Sequence, residues 1–367
     1  MKLRLNPFRS LTLAGRIVLG ATLVSLVLLW VSAASVYVSP QDMPLSGLLG
    51  LCFPFFLAGA CLMTALTLIA APRAVWVPLL GLLLCAGTIR TYCPFNLHKD
   101  APQKAEKLLS WNVCLWGTKE DGGFDEAKEH NLIARRIGQS GATIVCLQEA
   151  LKDEDFLKKH VYPEMPHLKH HLFNTFKDSQ LAILTAHPIL SSRRLCQSNS
   201  NGAMAYWLSL PDGDTLIVVN CHLKSMGLTH DDRSEFSHMV KDPEESLSAT
   251  AGHTIFSKIK RAGVTRAAMA DTIETFLRSQ EGKSVVVMGD FNDTPVSYAR
   301  HRISSGLTDA FRTTGNGIGR SFNRDAIYVR IDHIFLSPDW KPYNCHIDDH
   351  APYSDHYPII CSIARKK

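Results

Sequence analysis

Charge is nearly absent from the first quarter of this 367-residue chain. Residues 1–93 contain a single acid, Asp42, six basic residues and no histidine, set among long runs of Leu, Val, Ala and Ile. That scarcity excludes a water-soluble fold for the segment and directs it into lipid. The same residues account for the whole formal net charge of +5, so the rest of the chain has no basic excess. A protein that tracks along nucleic acid usually presents a basic face, and the balance weighs against a dedicated nuclease. Paired cysteine spacings are also missing. Of ten cysteines, Cys52, Cys61 and Cys85 fall in the apolar part and seven are scattered over the remainder, so neither a disulfide framework nor a zinc site follows. Cys114, Cys146 and Cys221 lie in apolar runs and read as buried free thiols, which suits a reducing compartment. No glycine fingerprint for a nucleotide is present either, since Gly315, Gly317 and Gly319 alternate without a strand before and a helix after them.

What the first segment does contain is length. Spans at 17–38 and 45–70 are charge-free and exceed the roughly 20 apolar residues a bilayer needs. A third, 75–95, carries Arg90 near its end, where the side chain can snorkel to the interface. Lys2, Arg4, Arg9 and Arg16 should stay cytoplasmic, which with three spans places the rest of the chain outside the cytoplasmic membrane of a bacterium. With the third segment lying on the surface, the same rule leaves it in the cytoplasm. A cleaved signal after Ser32-Ala33-Ala34-Ser35 is an alternative for the first span, and the second would still anchor the protein. The expected organisation is an anchor over 1–95, a polar linker over 96–106 and a catalytic domain over 107–367.

Several strands of that domain end on polar residues. Lys107 to Cys114 reads as a strand with Asn112 near its end, and Thr143 to Glu149 as a second that closes on an acid. Between them a helix is expected from about Asp125 to Gln139. Further strands are expected at 170–173, 181–185, 203–210 and 214–223, the last delivering His222, which alone would more often be a satisfied interior residue. Residues 224–251 read as a polar insertion and 253–278 as a helix whose Lys258, Lys260, Arg261 and Arg266 form a solvated face. The apolar run 284–288 reads as a strand buried on both faces, and Gly289-Asp290-Phe291-Asn292 turns out of it so that a carboxylate and a carboxamide share one crevice. A helix over 295–303 follows. The strand 330–336 holds Asp332 within an apolar run, which is costly unless the carboxylate has a partner, and Asp355-His356 supplies one.

Ser110-Trp111-Asn112-Val113, Leu147-Gln148-Glu149, Asn220-Cys221-His222-Leu223, Gly289-Asp290-Phe291-Asn292, Arg330-Ile331-Asp332 and Ser354-Asp355-His356 together resemble the endonuclease/exonuclease/phosphatase superfamily over residues 105–365. The resemblance implies an α/β (α+β) four-layer sandwich, two mixed β-sheets face to face with helices outside, here preceded by transmembrane helices. It also implies a divalent cation, Mg²⁺ or in its place Mn²⁺, with Glu149 as main metal ligand beside Asn112 and Asp355. Asp290 would position or deprotonate the attacking water and Asn292 hold the phosphate. His356, oriented by Asp332, and His222 would bracket the phosphate as donors. The acid that in this family often orients a histidine at the position of His222 has no identified counterpart. Abasic-site endonucleases typically carry Tyr there, and the string typical of inositol 5-phosphatases is replaced by Arg330-Ile331-Asp332. The layout is similar to membrane-anchored bacterial members.

The first functional expectation is a membrane-anchored phosphoesterase acting at the lipid bilayer on a phosphodiester or phosphomonoester such as a lipid headgroup, because tethering raises the local concentration of membrane substrates. The alternative is a deoxyribonuclease I-like nuclease outside the cell. A non-enzymatic membrane scaffold ranks last, since no matched catalytic position is substituted.

Overall fold

The computed structural model describes residues 11–117, 124–125, 130–227, 249–324 and 329–366. Lys2, Arg4 and Arg9 lie outside the described residues, as do residues 228–248 of the polar insertion. The apolar part forms α1 (Leu13–Ala34), α2 (Ser46–Leu51), α3 (Phe53–Ala70), α4 (Trp76–Leu84) and α5 (Ala86–Tyr92). Thr12 caps α1 by accepting from Gly15 N–H. Leu13–Tyr37 and Phe53–Ala70 are each long and apolar enough to cross a membrane. The span expected over 45–70 is divided at Cys52, where Pro54 in the first turn of α3 starts a new helix. The one expected over 75–95 is bent by 59° between α4 and α5. The bend has a local cause. Trp30 Nε1 donates to Gly81 O at 3.0 Å, and Cys85 N–H bonds to Leu82 O instead, so the helical ladder opens there. Within the bundle the hydroxyls of Thr22 and Thr67 meet at 2.8 Å, joining α1 to α3.

The remainder is built on two six-stranded sheets. The strands are β1 (Glu106–Asn112), β2 (Phe124–Asp125), β3 (His130–Asn131), β4 (Ile144–Gln148), β5 (His170–Phe176), β6 (Ser179–Thr185), β7 (Ile189–Ser198), β8 (Asn201–Ser209), β9 (Thr215–His222), β10 (Val285–Asp290), β11 (Thr308–Asp309), β12 (Asp332–Leu336), β13 (Trp340–Ile347) and β14 (Ile359–Arg365). One sheet runs β13-β14-β1-β4-β6-β5 and the other β11-β12-β10-β9-β8-β7, while β2 and β3 pair apart. Each sheet has one central parallel pair, β1 with β4 and β9 with β10, among antiparallel neighbours. These are the strands with continuous apolar runs, buried on both faces as the sheets pack together. Between the sheets lie Leu108, Cys146, Ile183, Tyr206, Val218, Met288 and Ile334. Polar bridges also cross between the sheets: Tyr206 Oη donates to Asn174 Oδ1 at 2.8 Å, Gln148 Nε2 donates to Asn220 Oδ1 at 2.7 Å, and Asn220 Nδ2 donates to the carbonyls of Leu147 and Ala182. Helix α6 (Leu132–Ser140) covers the outer face of the first sheet through Ile133 and Ile137. Helix α7 (Ala249–Ser279) covers the second through Met269, Ala270, Ile273 and Phe276. The layers are therefore helix, sheet, sheet, helix, as the resemblance implies.

Several boundaries differ from those read in the sequence. Helix α6 begins at Leu132 instead of near Asp125, because Asn131 Oδ1 caps it by accepting from Ala134 N–H at 2.9 Å and residues 130–131 pair with 124–125. The helix expected over 295–303 is α8 (Tyr298–Ile303), started by the Ser297 cap. Strand β12 begins at Asp332, so the acid opens the strand instead of lying inside it. Strands β7 and β13 were not expected. Both are sheet edges; β7 is polar along much of its length, and β13 carries Pro342 and a register shift between Tyr343 and His346, so neither displays a clean alternation. Arg266 is not on a solvated face: it is 2 % exposed and pairs with Asp293 at 3.0 Å. None of the ten cysteines forms a disulfide; Cys146 and Cys221 are buried and Cys114 is half-buried in a turn.

Gly289 sits at φ +147°, and a Cβ there would lie 2.0 Å from Cys221 O on the neighbouring strand. Gly289→Ala should destabilise the protein by on the order of 3 kcal/mol through strain and overlap with backbone. Thermal unfolding of the full-length variant checks it, and an unchanged melting temperature would show that β9 and β10 pack less closely than described.

Candidate active site

Register sets the site. At the carboxyl ends of the parallel pairs, Asn112 stands opposite Gln148 and Asp290 opposite His222, while the antiparallel β12 brings Asp332 level with Asp290 on its other side. The turns leaving these strands enter left-handed backbone, with φ of +42°, +57° and +69° at Cys114, Leu115 and Trp116, +53° at Glu149 and +51° at Asn292. Such conformations cost energy at residues other than glycine and persist where surrounding contacts fix them. Here the contacts are visible. Leu115 N–H bonds to Glu149 O and Val113 N–H to Gln148 O, both at 2.9 Å, and Trp116 is buried with Nε1 on Leu151 O at 3.1 Å.

The Asp290 carboxylate is the centre of the arrangement. Its Oδ1 accepts from Asn292 N–H at 2.8 Å, and its Oδ2 accepts from Asn292 Nδ2 at 3.1 Å and Asn112 Nδ2 at 3.2 Å. His356 Nε2 lies 3.7 Å and His222 Nε2 3.8 Å from the same oxygen. Asp290 is 1 % exposed. Burial pushes its carboxyl up to about 6 against the pull of the two histidines. His356 Nδ1 meets Asp332 Oδ2 at 3.0 Å, so the partner that the apolar run required is this imidazole. Burial opposes a charged ring, yet Asp332 and Asp290 outweigh it and hold His356 up at about 10, protonated at neutral pH. His222 goes the other way, lowered mainly by burial. The two imidazoles flank one carboxylate with opposite charge preferences, an arrangement fit for donating to an anion on one side and handling a neutral proton carrier on the other.

A cleft of about 250 Å³ opens over these groups, with Asn112, Glu149, Asp290, Asn292, Asp355 and His356 on its polar side and Met226, Phe322, Val329 and Ile331 on its apolar side. Among the described residues no lysine or arginine lines it. Burial and the nearby Asp355 charge raise the Glu149 carboxyl. Two repelling carboxylates without a basic side chain between them form a hard-oxygen donor set that suits a divalent cation. Asn112 bridges Glu149 Oε1 and Asp290 Oδ2 through its NH₂ at 3.2 Å each, while its carbonyl accepts from Cys114 N–H and keeps a second lone pair. Ligand atoms of Asp290, Asp332 and His356 also lie within 4.8 Å of one another. That trio suits a cation less well, because His356 Nδ1 is engaged by Asp332 Oδ2 and Asp290 Oδ2 already accepts from two amides.

All eight residues singled out in the sequence are present: Asn112, Glu149, Asp290, Asn292, Asp355 and His356 line the cleft, with His222 and Asp332 buried directly behind Asp290. Two further contributors escaped the sequence. Asn201 Nδ2 lies 3.0 Å from His222 Nε2, the ring nitrogen that also faces Asp290, while Nδ1, where an orienting acid would sit, has no hydrogen-bond partner among the described residues; Asn201 opens β8 after a polar hairpin, with no apolar run to announce it. The Arg266 guanidinium joins Asp293 to Lys224 O, clipping together the turns after β10 and β9; its helical spacing on the Met269 and Ile273 side was the available signal.

Comparison with known proteins follows from this geometry. A model of the Endonuclease/Exonuclease/phosphatase family matches residues 109–356, more than half of the chain, and a model described as a domain of unknown function matches residues 15–92. No curated protein matches. Among solved structures, an endonuclease/exonuclease/phosphatase from Beutenbergia cavernae superposes with a TM-score of 0.51 at 15 % identity, covering 72 % of each chain. The human Nocturnin catalytic domain gives 0.49 at 14 %, covering 73 % of this chain and 96 % of that one. At these identities the likeness concerns the fold.

Asp332 and His356 should act as one unit. Asp332→Asn, His356→Ala and the double variant are expected to lose turnover to a similar extent, the non-additivity of groups that serve one function. Independent, multiplicative losses would separate the pair.

Proposed function

Because the chain belongs to the endonuclease/exonuclease/phosphatase family, whose members are hydrolases of phosphate esters, we propose that it is a membrane-anchored, divalent-metal-dependent phosphoesterase that cleaves a phosphodiester or phosphomonoester, with a lipid headgroup as its substrate. The observation that carries the reading is the buried Asp290 carboxylate, held by two amides between His222 and His356 at the floor of an open cleft. Glu149, Asp355 and Asn112 would hold Mg²⁺, or Mn²⁺ in its place. Bound there, the cation would polarise a phosphoryl oxygen and offset the charge of the leaving group. Asp290 orients the attacking water and accepts its proton. Asn292 fixes Asp290, its NH₂ shared between Asp290 Oδ2 and Leu223 O, and would hold the phosphate only on giving up one of these bonds. His356, kept charged by Asp332, donates to a phosphoryl oxygen as negative charge develops, and His222 faces the same atoms from the other side.

The apolar wall of Phe322, Val329 and Ile331 and, among the described residues, the lack of lysine or arginine along the cleft favour a lipid over DNA. The way the anchor meets the domain supports an outer location. Tyr37 packs edge-on against His301 with centroids 4.8 Å apart, Gln41 Nε2 donates to Asp271 Oδ2 at 2.9 Å, and Val296 sits among Leu29, Val36 and Phe53. The catalytic part thus docks at the end where α1 stops and α3 starts. The far end of the bundle is the cluster of Leu19, Ala71 and Ala74. Residues 72–92 run from that end back to the catalytic part, which supports a third crossing in spite of the bend; with a cytoplasmic start to the chain the domain would then lie outside.

The test is an assay of the purified full-length protein against phospholipid, plasmid DNA and bis-p-nitrophenyl phosphate, in Mg²⁺ and in excess chelator. Hydrolysis of phospholipid that needs Mg²⁺ is expected, and Glu149→Gln should lower it by on the order of 100-fold or more. Undiminished activity in chelator would sink the metal reading, and cleavage of DNA alone would assign the protein to the nucleases. A reporter fused after Lys367 should be active only on the outer side of the membrane; labelling of the domain from the cytoplasm would contradict the third crossing.

A further inference from the structure

Arg330 is charged, 1 % exposed and lies two residues ahead of Asp332. Its guanidinium plane lies 4.0 Å from the ring centre of Phe311. One end donates to Thr91 O at 2.7 Å, and the other reaches Ile318 O and, at 3.5 Å, Tyr92 O. Thr91 and Tyr92 are the last residues of α5, and the final carbonyls of a helix have no partner of their own. A side chain from the catalytic domain therefore caps the end of the third membrane segment, in the position where a cation also opposes the negative end of the helix dipole.

The cap leads straight to the site. Ile331 O accepts from Phe291 N–H at 2.8 Å, tying the same backbone to the turn that holds Asp290 and Asn292. Ser321 Oγ takes both Ile331 N–H and Asp332 N–H, at 2.9 and 3.1 Å. Asp332 then holds His356. From the helix end to the catalytic imidazole the path is one hydrogen bond, two steps of backbone from Arg330 to Asp332 and one more hydrogen bond. The turn after Asn292 is fixed to the same bundle from its other side, since a Cβ on Gly50 of α2 would lie 2.2 Å from Val296 O.

Burying an arginine is a poor way to gain stability, because desolvation of the guanidinium offsets much of what its bonds return. Its Nε finds no hydrogen-bond partner among the described residues. What the group supplies is a fixed direction, a planar fork with few ways to sit. We propose that Arg330 is a positioning residue that registers the Asp332–His356 pair against the end of the third membrane segment, so that the anchor is part of the catalytic scaffold. The catalytic half of this inference rests on the phosphoesterase reading; the mechanical half does not.

Full-length protein in phosphatidylcholine nanodiscs, as wild type, Arg330→Met and Arg330→Lys, provides the test, with bis-p-nitrophenyl phosphate hydrolysis and amide hydrogen exchange as separate readouts. Arg330→Met should lower kcat about 10- to 100-fold with KM within about twofold, the mark of misplaced groups and not of lost binding. Exchange should rise together at residues 89–93 and 330–334. Arg330→Lys, which keeps the charge but not the fork, should recover part of kcat and of the protection. A Met variant that melts earlier yet keeps wild-type kcat below its melting temperature would make Arg330 structural only. Faster exchange in one segment without the other would break the link. Should the Met variant fail to fold, a Lys variant equal to wild type in both readouts would overturn the proposal. Should the wild type hydrolyse no phosphate ester, the phosphoesterase reading fails, while paired exchange still decides whether the anchor is coupled to the strand.

Discussion

A carboxylate buried at 1 % exposure has to be surrounded by donors, and the Asp290 carboxylate dictates what stands near it. Asn112 and Asn292 reach it from β1 and from its own turn, and the imidazoles of His222 and His356 stand on either side. Those four side chains come from both sheets, so the requirement of one oxygen atom aligns the two halves of the sandwich. The same demand explains the backbone. Glu149 and Asn292 adopt left-handed conformations because strands that simply continued would carry their side chains past the cleft.

Much of this could be read in the sequence for a physical reason. Strands buried on both faces leave continuous apolar runs, and a polar residue closing such a run stands at the sheet's carboxyl edge. Asn112, Glu149, His222 and Asp290 were found in that way. Asn201 was not, because its place beside His222 comes from the register of β8 on β9, which pairs Gly202 with His222, and a single chain does not display register. Edge strands β7 and β13 were missed because solvent on one side and a bulge or proline remove the period that marks a strand. Arg266 was read as a solvated charge, because helical spacing tells which side a residue occupies and not whether an acid waits there.

The apolar helices add a further constraint on the catalytic part. Val296 is packed among side chains of the apolar helices, and Asn96, at the start of the expected linker, is fixed through Asn316 Oδ1 at 2.6 Å and Gly315 O at 2.6 Å. A loose tether would serve only to raise local concentration. Under the proposed anchoring, a docked one would also set the distance and tilt of the cleft above the lipid, and substrate choice would be partly geometric, decided by where a phosphate ester lies as well as by what it is.

Two places in the cleft can be set against each other directly: the Glu149–Asp355 edge, and the trio of Asp290, Asp332 and His356 whose ligand atoms lie within 4.8 Å. Anomalous diffraction from crystals of the full-length protein soaked in Mn²⁺ separates them. The account predicts one strong peak on the Glu149 carboxylate with the Asp332–His356 hydrogen bond intact. A peak within the trio, with that bond broken, would contradict it and turn the proposed donor pair into a metal centre.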